Sequence, residues 1–228
     1  MNTNSNKVKG FEALLRWSDK ELGNIGPDEF ITLAEDTGQI VPLGKWVLNS
    51  ALKQLSIWHR EFDGELMMSI NISSIQMHAT FAEQLLAMLN FYNIQPQNIA
   101  LEITESSMIF KHGEVRQALS DISKLGVELH LDDFGTGYSS LSMLHDLPIS
   151  TVKLDKSFVH GSHKGSKAIV QATHAICDKL GLKVVAEGVE TETQKDFLID
   201  CGYQYLQGYL FSKPIPSNKV ESQFLFVR

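Results

Sequence analysis

Short aliphatic runs alternate with longer stretches of helical period along the whole chain. The runs with strand character are Val8–Leu14, Leu66–Ile72, Ile99–Ile103, Val127–Leu131, Thr151–Leu154, Lys183–Ala186 and Tyr203–Leu206. Between them apolar residues recur every three or four positions. This spacing predicts helices over Asp28–Glu35 (behind Pro27), Trp46–Phe62, Phe81–Phe91, Glu114–Lys124, Lys167–Leu180 and Glu192–Asp200. Gly126, Gly181 and Gly202 each stand just past a helix end, where a left-handed residue stops the helix at least cost. Strands this apolar are covered on both faces, so the alternation predicts an α/β fold with a parallel sheet under helices. No Pro/Gly/Ser-rich linker interrupts the pattern, and residues 1–228 read as a single domain. Seven strands fall one short of a TIM (β/α)8 barrel, which takes about 250 residues. Every later helix already has its strand, so the modified barrel is expected to lack its first, N-terminal strand.

Composition and charge narrow the picture. Hydrophobic residues make up 43% and charged residues 21%, which excludes a disordered or collagen-like chain. Twenty Lys and Arg against 27 Asp and Glu leave a net charge of −7, which repels DNA or any other polyanion. A phosphate ligand would need that repulsion cancelled locally, and a metal could do it. The opening MNTNSNKVKG lacks the apolar core of a signal peptide, and no run approaches the ~18 apolar residues of a membrane span. Cys177 and Cys201 are expected to be reduced, buried thiols rather than a disulfide, and the chain to be soluble and cytoplasmic.

In such a barrel the strand interiors are expected to be apolar, with chemistry at the C-terminal strand ends. Glu12 lies in the first run and Asn71 closes the second. Glu102 and Glu105 stand in LEITES, Asp132 and Asp133 in HLDDFGTGYSS, Lys153 and Asp155 in VKLDKSF, Glu187 and Glu190 in VVAEGVE, and Gln207-Gly208 follow the last run. Any one of these could simply begin a solvated loop. That reading fails for the whole set, because Asn71, Glu102 and Lys153 are flanked by apolar neighbours. Five or more carboxylates at one mouth repel one another and raise one another's pKa values, and a divalent cation resolves this. All-oxygen donors favour Mg²⁺ or Mn²⁺ over Zn²⁺. The adjacent Asp132-Asp133 pair can serve two ions, as two-metal phosphoryl chemistry requires. Glycines in DDFGTGYSSL suit a sharply turning loop that offers backbone N–H groups to an anion. Arg16 either grips a phosphate as a planar fork or pairs with a surface acid. The eight histidines show no ligand spacing, and His59, His130 and His174 read as structural or exposed. The sequence contains no Ser/His/Asp arrangement and no P-loop.

Together these motifs resemble the EAL-domain cyclic di-GMP phosphodiesterase family. The signature stands as Glu12-Ala13-Leu14 within FEALLRW and continues in order through FITLAEDTGQI, LGKWVL, SINIS, LEITES, LDDFGTGYSSL, VKLDKSF, VVAEGVE and LQGYLFSKP. The resemblance implies hydrolysis of cyclic di-GMP to linear 5′-pGpG with Mg²⁺ or Mn²⁺, two ions per site. It implies metal ligation by Glu12, Asn71, Glu102 and Asp132, with Asp133 shared with or serving the second ion. Lys153 would orient the attacking water or neutralise charge, Glu187 would be general base or a further metal contact, and Gln207 would support the metal network. Arg16, Asp155 and Glu190 fall on the substrate side, and Glu105 matches the anchor of the glycine-bearing, dimer-facing loop. A homodimer and a regulatory or sensory domain in the full-length protein are implied as well. Members of the family begin earlier, on a segment carrying Tyr-Gln-Pro, whereas this chain reaches its signature after MNTNSN, a stretch of poor β-propensity. An open seam with unpaired backbone is therefore expected. Two other readings stay open: a non-catalytic sensor or scaffold that binds the nucleotide or a protein, and an unrelated Mg²⁺-dependent barrel enzyme.

Overall fold

A computed structural model of the chain describes residues 1–62, 65–105, 113–137, 141–161 and 163–225. Its seven-stranded parallel sheet pairs β1 (Gly10–Ala13), β4 (Met67–Asn71), β5 (Ile99–Thr104), β6 (Glu128–Phe134), β7 (Thr151–Leu154), β8 (Lys183–Ala186) and β9 (Tyr205–Leu206), in that order. These are the runs legible in the sequence. A separate antiparallel ribbon, β2 (Trp17–Asp19) with β3 (Gly23–Ile25), was not foreseen, because three-residue strands are too short to show a period. The helices are α1 (Pro27–Asp36), α2 (Ile40–Glu61), α3 (Phe81–Tyr92), α4 (Glu114–Lys124), α5 (Leu141–Asp146), α6 (Lys156–His160), α7 (Lys164–Leu180), α8 (Glu192–Asp200) and α9 (Ser217–Val220). Helix α2 begins at Ile40 rather than Trp46, with Pro42 in the first turn, where a missing N–H leaves no hydrogen bond unmade.

Strand register sorts the sheet residues into two faces, since partners across a ladder point the same way. Leu101, Ile103, Leu129, Leu131, Val152, Leu154, Val184 and Ala186 share the outer face and are buried beneath the helices. The inner face carries Asn71, paired with Glu102, which pairs with His130, which pairs with Thr151. Lys153 and Asp132 follow on the same face, two residues beyond Thr151 and His130. The barrel interior is thus polar, which corrects the expectation of apolar strand interiors. Most of the apolar residues that suggested it belong to the helix-covered face, although Val185 shares the inner face with Lys153.

The first and last strands approach each other and are joined by side chains, with no ladder pairing between them. Gln207, just after β9, donates from Nε2 to Glu12 Oε2 on β1 at 2.6 Å, so the sheet curls round on itself at its C-terminal rim. Next to this contact the seam holds the N-terminus. The Met1 ammonium donates to Leu206 O at 3.0 Å, Leu206 N to Met1 O at 3.0 Å, and Thr3 N to Gln204 O at 2.9 Å. Asn2 bridges antiparallel to both Tyr205 and Lys7. The side chain of Asn2 also accepts from the N–H groups of Asn4 and Ser5 at 3.0 Å, turning the chain back toward β1. Residues read as non-strand thus partly occupy the seam.

Candidate active site

Lys153 organises the rim. Its side chain is 2% exposed, and its ammonium lies 2.6 Å from Glu102 Oε2, 2.8 Å from Glu187 Oε1, 3.1 Å from Asp132 Oδ1 and 3.7 Å from Glu12 Oε2. A β7 residue thus gathers carboxylates from β1, β5, β6 and the end of β8. Glu12 is held from two further sides, by Gln207 and by Asn71 Nδ2, which donates to Oε1 at 2.8 Å.

Asp132 and Asp133 reach the same place through a defect in the sheet. Alternation along a regular strand would send one inward and the other toward the helices. The ladder between β6 and β7 slips between Leu131 and Phe134, so that Asp132 and Asp133 together oppose Lys153. Asp133 adopts φ 54°, a left-handed conformation that Asp tolerates better than most residues. A bulge of this kind re-aims a side chain. Here it leaves Asp132, Asp133 and Glu187 with ligand atoms all within 4.8 Å of one another.

Four acids crowd one ammonium, with Asp133 close by, and their proton affinities respond. Burial raises the pKa of Glu12, with the Glu102 charge adding to it, and likewise that of Asp133, with Asp155 adding. Asp132 is also raised by burial, against the pull of Lys153. Glu187 is pushed up to about 8 by burial, opposed by Lys153 and reinforced by Asp132. Glu102 goes the other way: burial is the largest single effect on it, but Lys153 and His130 together hold it well below the usual carboxylate range. Burial works against the Lys153 ammonium, yet Glu102, Glu12, Glu187 and Asp132 raise it well above its ordinary value. Glu102 Oε1 is buried without a hydrogen-bond donor, and Asp132 Oδ1 is buried with only the shared Lys153 ammonium beside it. Surplus negative charge, an orphaned carboxylate oxygen and an all-oxygen donor set fit a hard divalent cation.

The remaining expected residues are more dispersed. Arg16 is exposed beside the cavity and donates from Nη1 to its neighbour's carbonyl, Leu15 O, at 2.8 Å. Glu190 is exposed on the same wall, 4.0 Å from His160. Asp155 is buried and caps α6, accepting from Ser157 N at 2.9 Å. Glu105 is buried and accepts from Gly135 N at 3.3 Å. A side chain on Gly137 would press on Glu105 Oε1 at 3.1 Å, so the glycines let the loop close over that carboxylate. The loop's Tyr138, Ser139 and Ser140 lie outside the described residues. A cavity of about 1250 Å³ opens over Glu12, Asp132, Lys153, Glu187 and Gln207 and runs past Trp46, Tyr209 and Phe211.

Two histidines near the site stand outside the expected site residues: His160, and His130, which the sequence reads as structural or exposed. His160 Nε2 lies 2.6 Å from Gly188 O, directly after Glu187. His130 is 8% exposed between Glu102 and Glu128. The signal for His130 was its inward place in the alternation Glu128, His130, Asp132. His59 and His174 lie 2.8 and 3.0 Å from the backbone carbonyls of Leu66 and Gly202, as structural histidines do.

A family model described as "EAL domain" matches residues 1–214. The chain is 41% identical over 214 residues to the cyclic di-GMP phosphodiesterase PdeR of Escherichia coli, covering 92% of this chain and 32% of PdeR. Among solved structures it is similar to the MucR phosphodiesterase of Pseudomonas aeruginosa in complex with c-di-GMP, with TM-score 0.87, 39% identity, and coverage of 93% of this chain and 87% of that one. It is also similar to the manganese/cy-diGMP complex of Klebsiella pneumoniae BlrP1, with TM-score 0.82, 29% identity, and coverage of 95% and 54%. The chain spans only about 30% of the length of the curated relatives it matches.

Proposed function

The chain belongs to the EAL domain family, and from that premise we propose that it is a metal-dependent phosphodiesterase opening cyclic di-GMP to linear 5′-pGpG. The observation that carries this reading is the rim itself, where Asp132, Asp133 and Glu187 converge within 4.8 Å beside a buried ammonium. Glu12, Asn71, Glu102, Asp132 and Asp133 would hold two Mg²⁺ or Mn²⁺ ions, with Glu187 as a further contact or as the group that takes the proton of the attacking water. Bound there, such ions supply Lewis-acid polarisation of the phosphate and a water acidic enough to attack near neutral pH. Lys153 keeps the carboxylates together and leaves positive charge beside the phosphate. Gln207 and Asn71 fix both oxygens of Glu12. Arg16 swings from Leu15 O to a phosphate oxygen, and Glu190 and Asp155 serve the substrate side, Asp155 by capping α6.

The same reading makes residues 1–228 one domain of a longer cytoplasmic signalling protein that acts as a homodimer. No described helix is long and apolar enough to cross a membrane. Incubation with cyclic di-GMP and Mn²⁺, followed by anion-exchange separation of products, tests the reading. Linear pGpG is expected. Calorimetric binding of the nucleotide without turnover would replace it with the sensor reading.

A further inference from the structure

Below the rim the barrel interior carries a line of charge that no role above uses. Lys183 Nζ lies 2.6 Å from Glu128 Oε1, Glu128 Oε2 lies 3.1 Å from His130 Nε2, and His130 Nδ1 lies 3.7 Å from Glu102 Oε1. The line ends on Lys153, which donates to the other Glu102 oxygen at 2.6 Å. An inward position at this depth of a (β/α)8 barrel ordinarily takes a branched apolar side chain. An imidazole and a carboxylate there carry a desolvation cost that only pairing offsets.

The two oxygens of Glu102 are treated differently. Oε2 has Lys153. Oε1 is buried with no hydrogen-bond donor, and the polar group facing it is the His130 ring. At 3.7 Å the contact is longer than a hydrogen bond and closes to one with a small rotation of the carboxylate. The ring has little freedom of its own, because Glu128 holds its far nitrogen and Lys183 holds Glu128. Lys153 alone would let the Glu102 carboxylate turn about its one held oxygen. A second nitrogen opposite removes that freedom.

We infer that His130, backed by Glu128 and Lys183, is a positioning residue that sets the orientation of the Glu102 carboxylate toward the divalent ion. The inference rests on the proposed role of Glu102 as a metal ligand. Outer partners of metal ligands typically contribute roughly 10- to 100-fold in affinity.

The test titrates the full chain with Mn²⁺, following the free-ion EPR signal, for the unaltered protein and for His130→Leu, His130→Gln and Glu128→Gln. Thermal melts in EDTA report folding of each. His130→Leu should weaken Mn²⁺ binding roughly 10-fold or more. His130→Gln, which keeps an N–H donor, should recover most of that loss. Glu128→Gln leaves the ring in place but loosens its anchor, and should fall between. If His130→Leu does not fold, Glu128→Gln decides alone. Mn²⁺ affinities within twofold of the unaltered chain in every folded variant would overturn the positioning role while leaving the proposed function standing. No Mn²⁺ binding by the unaltered chain would overturn both.

Discussion

Gln207 and Glu12 lie 195 residues apart in sequence and are joined by a 2.6 Å hydrogen bond across the barrel seam. The bond does two things at once. It links the last strand to the first at the rim, and it holds Glu12 in place while Asn71 holds its other oxygen. Glu12 is thereby kept 3.7 Å from Lys153 rather than collapsing onto it.

Gln207→Leu should therefore leave the fold intact and, if Glu12 is a metal ligand as proposed, lower kcat/KM by about 10- to 100-fold, the usual cost of losing a ligand's outer partner. The change should be partly reversed by excess Mn²⁺. Gln207→Glu should be worse, because it sets a like charge against Glu12, whose pKa is already raised by burial. Steady-state kinetics at two Mn²⁺ concentrations separate these outcomes.

The Lys153 ammonium is the only cation within 4 Å of Glu12, Asp132 or Glu187 among the described residues, and each of these acids is largely buried. Removing one member of a buried ion cluster costs about 3–5 kcal/mol, because the partners stay buried and unpaired. Lys153→Met should lower the melting temperature sharply in EDTA. Because divalent ions bind the folded state, millimolar Mn²⁺ should restore much of that loss while activity stays low. A calorimetric melt with and without Mn²⁺ checks both halves.

Much of this was legible in the residues themselves. All seven parallel strands and the helices α3, α4 and α8 stand where periodicity predicts them, because aliphatic strands and amphipathic helices obey local rules. The rim acids were visible as polar residues at strand ends. What the sequence did not show depends on register. Whether Asp133 points in or out is decided by a slip against β7, and nothing in the run LHLDDF marks which residue is extra. The polar interior was hidden differently: ELHLD alternates cleanly, but apolar strand interiors were expected, and His130, with no ligand spacing, reads as structural or exposed. The pairing of Met1–Thr3 with β9 joins the two ends of the chain, which local propensity cannot see.

Asp133 tests the register argument. Its backbone is left-handed, and its pKa is raised by burial and by Asp155. Asn tolerates the same conformation and carries no charge. Asp133→Asn should raise the melting temperature in EDTA by a few degrees, since repulsion is relieved with no new backbone strain. It should also weaken Mn²⁺ binding and slow turnover, on the order of 10²-fold or more. A variant that is more stable yet less active would mark Asp133 as a residue held in place for chemistry.

The ion-free protein should lose stability as pH rises from about 5 to 8. Glu187 has a folded pKa of about 8, far above the ordinary carboxylate value near 4.3, so in this window the folded state holds a proton that the unfolded chain has released. Stability contributed by a raised carboxylate pKa is present at low pH and disappears as the pH climbs through the folded value. Glu12, Asp132 and Asp133 are raised too and act in the same direction. So does His130, whose raised pKa favours the charged form that its folded partners hold. Glu102 is lowered, and its effect is confined to more acid solution. If Glu187 is a metal contact, Mn²⁺ displaces its proton, so the affinity should rise with pH and level off above about 8. Glu187→Gln should flatten both trends. Melting curves in EDTA and Mn²⁺ titrations between pH 5 and 9 supply the comparison, and a melting temperature that climbs with pH in EDTA would contradict the buried, protonated Glu187 on which the argument turns.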